Sequence, residues 1–222
     1  GGNWRYENDN GMSSAYKSLF INTSRRMMEY RSYPMPDDYP DYPHHSQIAK
    51  YFDDFVDHFG LREKITFRHE VERVEPSDDG WLVTVRNVDT GERRSAVYDA
   101  VLVANGHHWH PRYPEPPFPG QDSFAGEQLH SHYYREPDER FVDRTVLVLG
   151  FGNSAVDIAC ESSRVSKITY LAMRRGAWVI PKYIEGKPVD QLQNEWTSRL
   201  PFRLQRWYLQ RLIVKTQGRM ED

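Results

Sequence analysis

The sequence predicts a mixed α/β protein built in two pieces, and three observations predict it. The hydrophobic period changes from helical to two near residue 60. Two short continuous apolar runs follow, at 100–104 and 146–149. A glycine turn then opens a helix directly after the second run. At 222 residues the chain is long enough to bury a core. Only 38% of its residues are hydrophobic, but 14% are aromatic, a content that disordered chains lack. Basic residues (29) and acidic residues (32) nearly balance, so no basic field points to nucleic acid or an anionic membrane. The single cysteine, Cys160, excludes an internal disulfide and a Cys-based zinc site, and fits a reducing, cytoplasmic compartment. No apolar run approaches the ~20 residues of a membrane span, and no signal-peptide pattern is present. The chain begins at Gly1 without a methionine, which reads as a processed product or a piece of a longer protein.

In chain order, residues 1–45 are turn-rich and aromatic, and repeated proline from Pro34 to Pro43 predicts an extended, irregular segment. Ser46 reads as an N-cap. Ile48, Tyr51, Phe52, Phe55, Val56 and Phe59 follow at helical spacing, and Gly60 is the stop. Strands are predicted at 64–68, 70–75, 81–87 and 93–98, with Asp78-Asp79-Gly80 and Asp89-Thr90-Gly91 as turns. The continuous run Ala100-Val101-Leu102-Val103-Ala104 predicts a buried parallel strand that ends at Asn105-Gly106. After a proline-rich connection come a second buried strand (146–149), a helix from near Asn153 and a further strand at 167–171. A boundary near 138–142 separates the two pieces. The tail predicts helix from Leu192 to Val214, broken by Pro201.

Gly150-Phe151-Gly152-Asn153-Ser154-Ala155 sits between strand and helix, where each small residue has a physical task. Gly150 makes the tight turn, Gly152 lets backbone approach a pyrophosphate, and Ala155 allows close helix–strand packing. The helix start, through Asn153, Ser154, Ala155, Val156 and Asp157, then offers unpaired N–H groups to the anion. Asp157 is mid-helix and equally suits a structural role. About twenty residues on, a NAD site would carry Asp or Glu for the ribose hydroxyls. Here stand Arg174 and Arg175, which can hold a 2′-phosphate bidentately, so NADPH is the expected dinucleotide.

Other clusters read more plainly. His107, His108, His110, His130 and His132 lack carboxylates at helical spacing, and no metal site is expected. Cys160 falls on an apolar helix face and is expected to pack there. The 15 acidic and 8 basic residues of 37–99 read as a solvated face. The tail's Arg199, Arg203, Arg206, Arg211, Lys215 and Arg219, interleaved with Trp207, Tyr208 and Leu212, fit a helix packed on its own domain better than a membrane-surface helix. No Ser/His/Asp pattern or carboxylate pair for hydrolysis stands out.

Phe124, Gly126, His130 and Tyr134 fit FxGxxxHxxxY, a pattern that resembles the identifying motif of the flavin-containing monooxygenases. Baeyer–Villiger monooxygenases carry Trp and then Pro or Asp where this chain has Tyr134-Arg135, so the first group fits better. The segment from Tyr16 to Ser24 resembles the family's stretch around its active-site asparagine, and Ala104-Asn105-Gly106-His107-His108 resembles its lead into the inter-domain hinge. The resemblance implies two Rossmann-like dinucleotide-binding domains, for FAD and NADP, both incomplete in this chain. Residues 1–140 would form a partial FAD-binding domain with a small β-meander, and 141–222 a partial NADP-binding domain with a helical insertion. The family's upstream strand-GxGxxG turn for FAD does not appear before Trp4, so an internal segment with little or no flavin retention of its own is expected.

The implied activity is NADPH- and O2-dependent oxygenation of soft N or S centres in small molecules via a C4a-hydroperoxyflavin. Oxygenation of ketones, or a non-catalytic NADP-binding fragment, are the competing readings. By resemblance Asn22 is the catalytic residue, Ile21 and Thr23 contact NADP and FAD, Asn3 and Trp4 meet the flavin's sugar-phosphate side, and the Val71 backbone meets the adenine. An asparagine capping a turn, a core Trp4 and an ordinary strand Val71 are the plainer alternatives. His130 is expected to order the hinge. Assembly into a homo-oligomer stays open.

Overall fold

A computed structural model describes residues 2–176, 179–192 and 198–218. The chain divides into two compact units, one of residues 1–51 with 108–222 and one of residues 52–107. The first stretch is irregular, as its prolines require, with a single short helix, α1 (Arg25–Met28), and the bridges Phe20↔His44 and Tyr30↔Tyr33. Helix α2 (His45–His58) follows.

The sequence expected Ser46 to cap α2, but the cap is His44. Its ring Nδ1 accepts the Ser46 N–H at 3.3 Å, and Gln47 Oε1 reaches back to the His44 N–H at 3.0 Å. This is a capping box with imidazole in place of the usual hydroxyl. At the other end Gly60 donates to Asp57 O (3.1 Å) and Leu61 to Val56 O (2.8 Å), the paired bonds of a Schellman stop.

The meander of the smaller unit comprises β1 (His69–Ser77), β2 (Gly80–Asn87) and β3 (Arg93–Tyr98), antiparallel in that order. Its exposed faces carry paired charges: Glu72 accepts from Arg86 at 2.9 Å and from Arg93 at 2.8 Å. Residues 64–68, expected as a strand, instead contain the end of a 3-10 turn (Arg62–Lys64) and an irregular stretch up to β1. The expected buried strand at 100–104 does not form either. Leu102 is 94% and Val103 81% exposed, and no described strand pairs with them. Apolar character supplies one requirement of a buried strand; neighbouring strands supply the other.

In the larger unit, β4 (Thr145–Leu149) leads through the glycine turn into α3 (Asn153–Ser162) and then β5 (Ile168–Ala172). The two strands are parallel, with Thr145↔Ile168 through Leu149↔Ala172 in continuous register. Val146 and Val148 face α3 and pack on a core of Tyr16, Tyr134, Phe141 and Ile158. A two-residue hairpin, β6 (Tyr183–Ile184) with β7 (Lys187–Pro188), and helix α4 (Phe202–Gln217) complete the described elements. The expected tail helix before Pro201 and Arg219 lie largely outside the described residues; Pro201 itself caps α4. Cys160, expected to pack, is exposed, because the buried stripe of α3 runs through Ile158, Ala159 and Ser162.

Candidate dinucleotide site and the bend at Asn22

The turn after β4 is built by its glycines. Gly150 has φ +125°, a conformation that L side chains rarely adopt, and its N–H donates to Ala172 O at 2.9 Å. Gly152 is the N-cap of α3, with extended backbone (φ −80°, ψ 171°) and no side chain to satisfy the first turn. The first helical bond there runs from Val156 N–H to Gly152 O (3.1 Å), so the N–H groups of Asn153, Ser154 and Ala155 have no acceptor among the described residues. A Cβ built on Gly152 would meet nothing within 4 Å, and one built on Gly150 would reach only the Ala155 methyl, at 3.9 Å. Open space, a glycine edge and three free donors fit a phosphate group.

Arg174 and Arg175 leave β5 two and three residues after Ala172. Both are exposed, and among the described residues neither has a hydrogen-bond or ion-pair partner. Because Leu149 pairs with Ala172, the glycine turn and the arginines emerge side by side from the carboxyl ends of adjacent strands, ~4.8 Å apart. That edge is where open α/β sheets bind ligands.

Asp157 faces elsewhere. With Glu161, four residues on, it lines the α3 face that receives the N-terminal stretch: Asp157 Oδ2 accepts from the Tyr16 hydroxyl, and Glu161 accepts from Ser18 and Tyr134. Burial first, and then the adjoining carboxylates, hold both tyrosines well above the ordinary phenol value. Val156 is half-buried beside this face.

Asn22 and Thr23 form an exposed bend between two buried residues, Ile21 (3% exposed) and Ser24 (0%). Ile21 N–H donates to Pro43 O at 3.0 Å. Ser24 N–H donates to Asp190 Oδ2 at 2.6 Å, and its hydroxyl accepts from Gln191 at 2.9 Å. Nothing among the described residues occupies the Asn22 or Thr23 side chains. Asn3, half-buried, accepts through Oδ1 from the Ser14 N–H (2.8 Å) and hydroxyl (3.0 Å). Trp4 O faces His45 Nδ1 at 3.1 Å, and burial lowers that imidazole's pKa. Val71 lies in the smaller unit, on β1 opposite Val85. The site thus gathers the glycine turn with Arg174 and Arg175 at one strand edge, and holds Asn22 and Thr23 on a separate clamped bend.

His130 holds its segment by both ring nitrogens. Nδ1 accepts the His132 N–H at 3.0 Å, which leaves Nε2 to donate to Arg112 O at 3.3 Å. Among the described residues no three His, Cys, Asp or Glu side chains converge as a metal site, and no helix is long and apolar enough to cross a membrane. Sequence reasoning missed Tyr16, Glu161, Asp190 and Gln191. The i, i+4 spacing of Asp157 and Glu161 places both carboxylates on one helix face and is a signal for Glu161 alone. The Ser24–Asp190 contact has no local signal.

A parallel strand, glycine turn, helix and strand with unsatisfied N–H groups at the helix start define a dinucleotide-binding α/β protein. A family profile described as FMO-like, flavin-binding monooxygenase-like, matches residues 1–218, and the chain belongs to that family. It is 40% identical to flavin-containing monooxygenase 5 of Oryctolagus cuniculus over 206 residues, covering 90% of this chain and 38% of the relative. It is 38% identical to flavin-containing monooxygenase 3 of Homo sapiens over 200 residues, covering 86% and 37%. Among solved structures, the S-allyl-L-cysteine S-oxygenase of Allium sativum aligns at a TM-score of 0.69 with 32% identity, over 84% of this chain and 46% of that one. The flavin-containing monooxygenase of Stenotrophomonas maltophilia aligns at 0.61 with 26% identity, over 77% and 48%. The chain spans less than half the length of each.

Proposed function

We propose that the full-length protein is an NADPH- and oxygen-dependent flavin monooxygenase of EC 1.14.13 type, acting on soft nitrogen or sulfur centres of small molecules. The observation that carries this reading is the Gly150 N–H bonded to Ala172 O, which sets the glycine turn beside Arg174 and Arg175, both exposed and without a partner among the described residues. That pairing suits a dinucleotide bearing a 2′-phosphate. Similarity to a sulfur oxygenase at 32% identity supports the soft-centre assignment.

Residues 1–140 belong to the FAD side and 141–222 to the NADP side. When bound, FAD supplies the oxygen-activating redox chemistry and NADPH supplies the hydride. The chain supplies placement. Gly150, Gly152 and the N–H groups of Asn153, Ser154 and Ala155 bind the pyrophosphate. Arg174 and Arg175 would hold the 2′-phosphate. Asn22, with two amide donors and one acceptor and no charge, would offer hydrogen bonds to the bound cofactors without adding a charge beside them. Ile21 is buried, so its part is to support the bend, while exposed Thr23 would be open to the flavin. Asn3 and Trp4 would line the flavin's nucleotide side. The single cysteine suits a cytoplasmic location.

The test is a visible absorption spectrum of the purified full-length protein, recorded before and after anaerobic NADPH. A flavin spectrum bleached by NADPH is expected, and a protein without flavin absorbance overturns the reading. Product analysis with a thioether and a cyclic ketone then assigns the reaction: sulfoxide supports it, and lactone alone moves the protein to the Baeyer–Villiger type.

A further inference from the structure

We propose that Asp190 is a positioning residue for Asn22, acting through the main chain of Ser24; this rests on the reading of Asn22 given above. A two-residue exposed bend holds its shape only through its flanks, and both flanks here are buried and bonded. Upstream, the Ile21 N–H is fixed by Pro43 O (3.0 Å). Downstream, the fixing group is the Asp190 carboxylate, whose Oδ2 lies 2.6 Å from the Ser24 nitrogen, with Gln191 adding a second bond to the Ser24 hydroxyl. The Ser24 residue is fully buried, and Asp190 Oδ1 is shielded from water without a partner among the described residues. A charge-assisted bond in such a setting is stronger than one in water.

The carboxylate is itself anchored. It sits on the 3-10 turn Val189–Gln191 directly after the β6–β7 hairpin, and the Val189 N–H donates to Lys182 O at 2.9 Å. The same carbonyl accepts from the Tyr42 hydroxyl at 2.7 Å, Tyr42 meets the Tyr183 ring edge-on at 5.4 Å, and Ile184 is 1% exposed. The 41–43 segment in turn carries Pro43, which holds Ile21, and Asp41 O, which accepts the Arg25 N–H at 2.6 Å. One docked hairpin therefore sets both ends of the bend, although Asp190 and Asn22 lie at opposite ends of the chain.

The experiment pairs hydrogen exchange with a double-mutant cycle in the full-length protein. Asp190→Ala is expected to speed amide exchange across residues 19–27 by about tenfold or more while leaving 153–162 unchanged. It should also raise the hydrogen peroxide released per NADPH consumed, and add nothing further in an Asn22→Leu background. Should the alanine variant fail to accumulate folded, Asp190→Asn replaces the charged acceptor with a neutral one and should still speed exchange across 19–27 severalfold. Unchanged exchange there, or uncoupling that adds to that of Asn22→Leu, overturns the proposal. Uncoupling by Asn22→Leu but not by Asp190→Ala sinks the positioning role alone. A silent Asn22→Leu sinks the functional reading, while faster exchange in Asp190→Ala still supports the clamp.

Discussion

The Tyr134 hydroxyl donates to Glu161 Oε2 at 2.5 Å while the other oxygen of that carboxylate accepts from Ser18, so one side chain of α3 ties down two distant stretches of chain. Tyr134 is 1% exposed, and its ring meets Tyr16 and Phe141 edge-on at 6.0 and 5.7 Å. Tyr134→Phe keeps those ring contacts and removes one hydrogen bond to a charged acceptor. A loss of ~1.5–3 kcal/mol in urea unfolding at neutral pH is expected. The phenol's folded pKa is raised, so its contribution is fully present below the ordinary tyrosine value and is lost as pH rises above it. The variant should therefore lose less stability than the parent between pH 9 and 11, on the order of that same bond.

Two buried imidazoles are expected to make the fold acid-sensitive. His45 and His132 are buried, and desolvation holds both below the ordinary histidine value of 6.5. A depressed folded pKa means that the unfolded chain takes up protons first. The stability these groups leave intact above 6.5 is thus lost as pH falls below it. Thermal unfolding is expected to show a falling midpoint between pH 7 and 5, and His45→Gln with His132→Gln should flatten that slope. An unchanged slope assigns the acid sensitivity to the carboxylates instead.

What the sequence made legible was local. The glycine turn announces itself because its turn, cap and packing residues are adjacent in the chain, and one register pair, Leu149↔Ala172, brings the arginines alongside. The cap of α2 was misread because hydroxyls usually do this work; here the His44 ring does it and Ser46 lies inside the helix. At 100–104 the apolar pattern is not enough to make a strand, since a strand needs partners as well as composition. No local pattern marks Asn22; only the family resemblance points to it. Its clamp, Asp190, joins stretches that no periodicity links, and only the folded chain shows it.

Asn22 tests the assigned chemistry. It is exposed and has no partner among the described residues, so Asn22→Leu should change stability by no more than ~0.5 kcal/mol. In the flavin-loaded full-length protein the same change should raise hydrogen peroxide formed per NADPH at the expense of oxygenated product. Unaltered coupling removes Asn22 from the mechanism.

Arg174 tests the choice of nucleotide. Replacing it with alanine should weaken NADPH binding by ~1.5–3 kcal/mol, the value of a hydrogen bond to a charged group, and NADH binding far less. Titration of each nucleotide into parent and variant gives the comparison directly. Equal losses for both would place the guanidinium away from the 2′-phosphate.

Gly152 separates a binding glycine from a folding one. Its φ of −80° and ψ of 171° are open to any residue, and a methyl group there would touch nothing within 4 Å. Gly152→Ala should consequently fold with near-parental stability. Yet the methyl group would project into the space a pyrophosphate must enter to reach the N–H groups of Ser154 and Ala155, and NADPH affinity should fall at least tenfold, or about 1.4 kcal/mol. Gly150→Ala should behave in the opposite sense. Its φ of +125° strains any side chain, so it should lower the unfolding midpoint before nucleotide is added. Measuring stability and nucleotide affinity in both variants distinguishes the two tasks, and a Gly152→Ala protein that binds NADPH as tightly as the parent would show that the phosphate lies elsewhere.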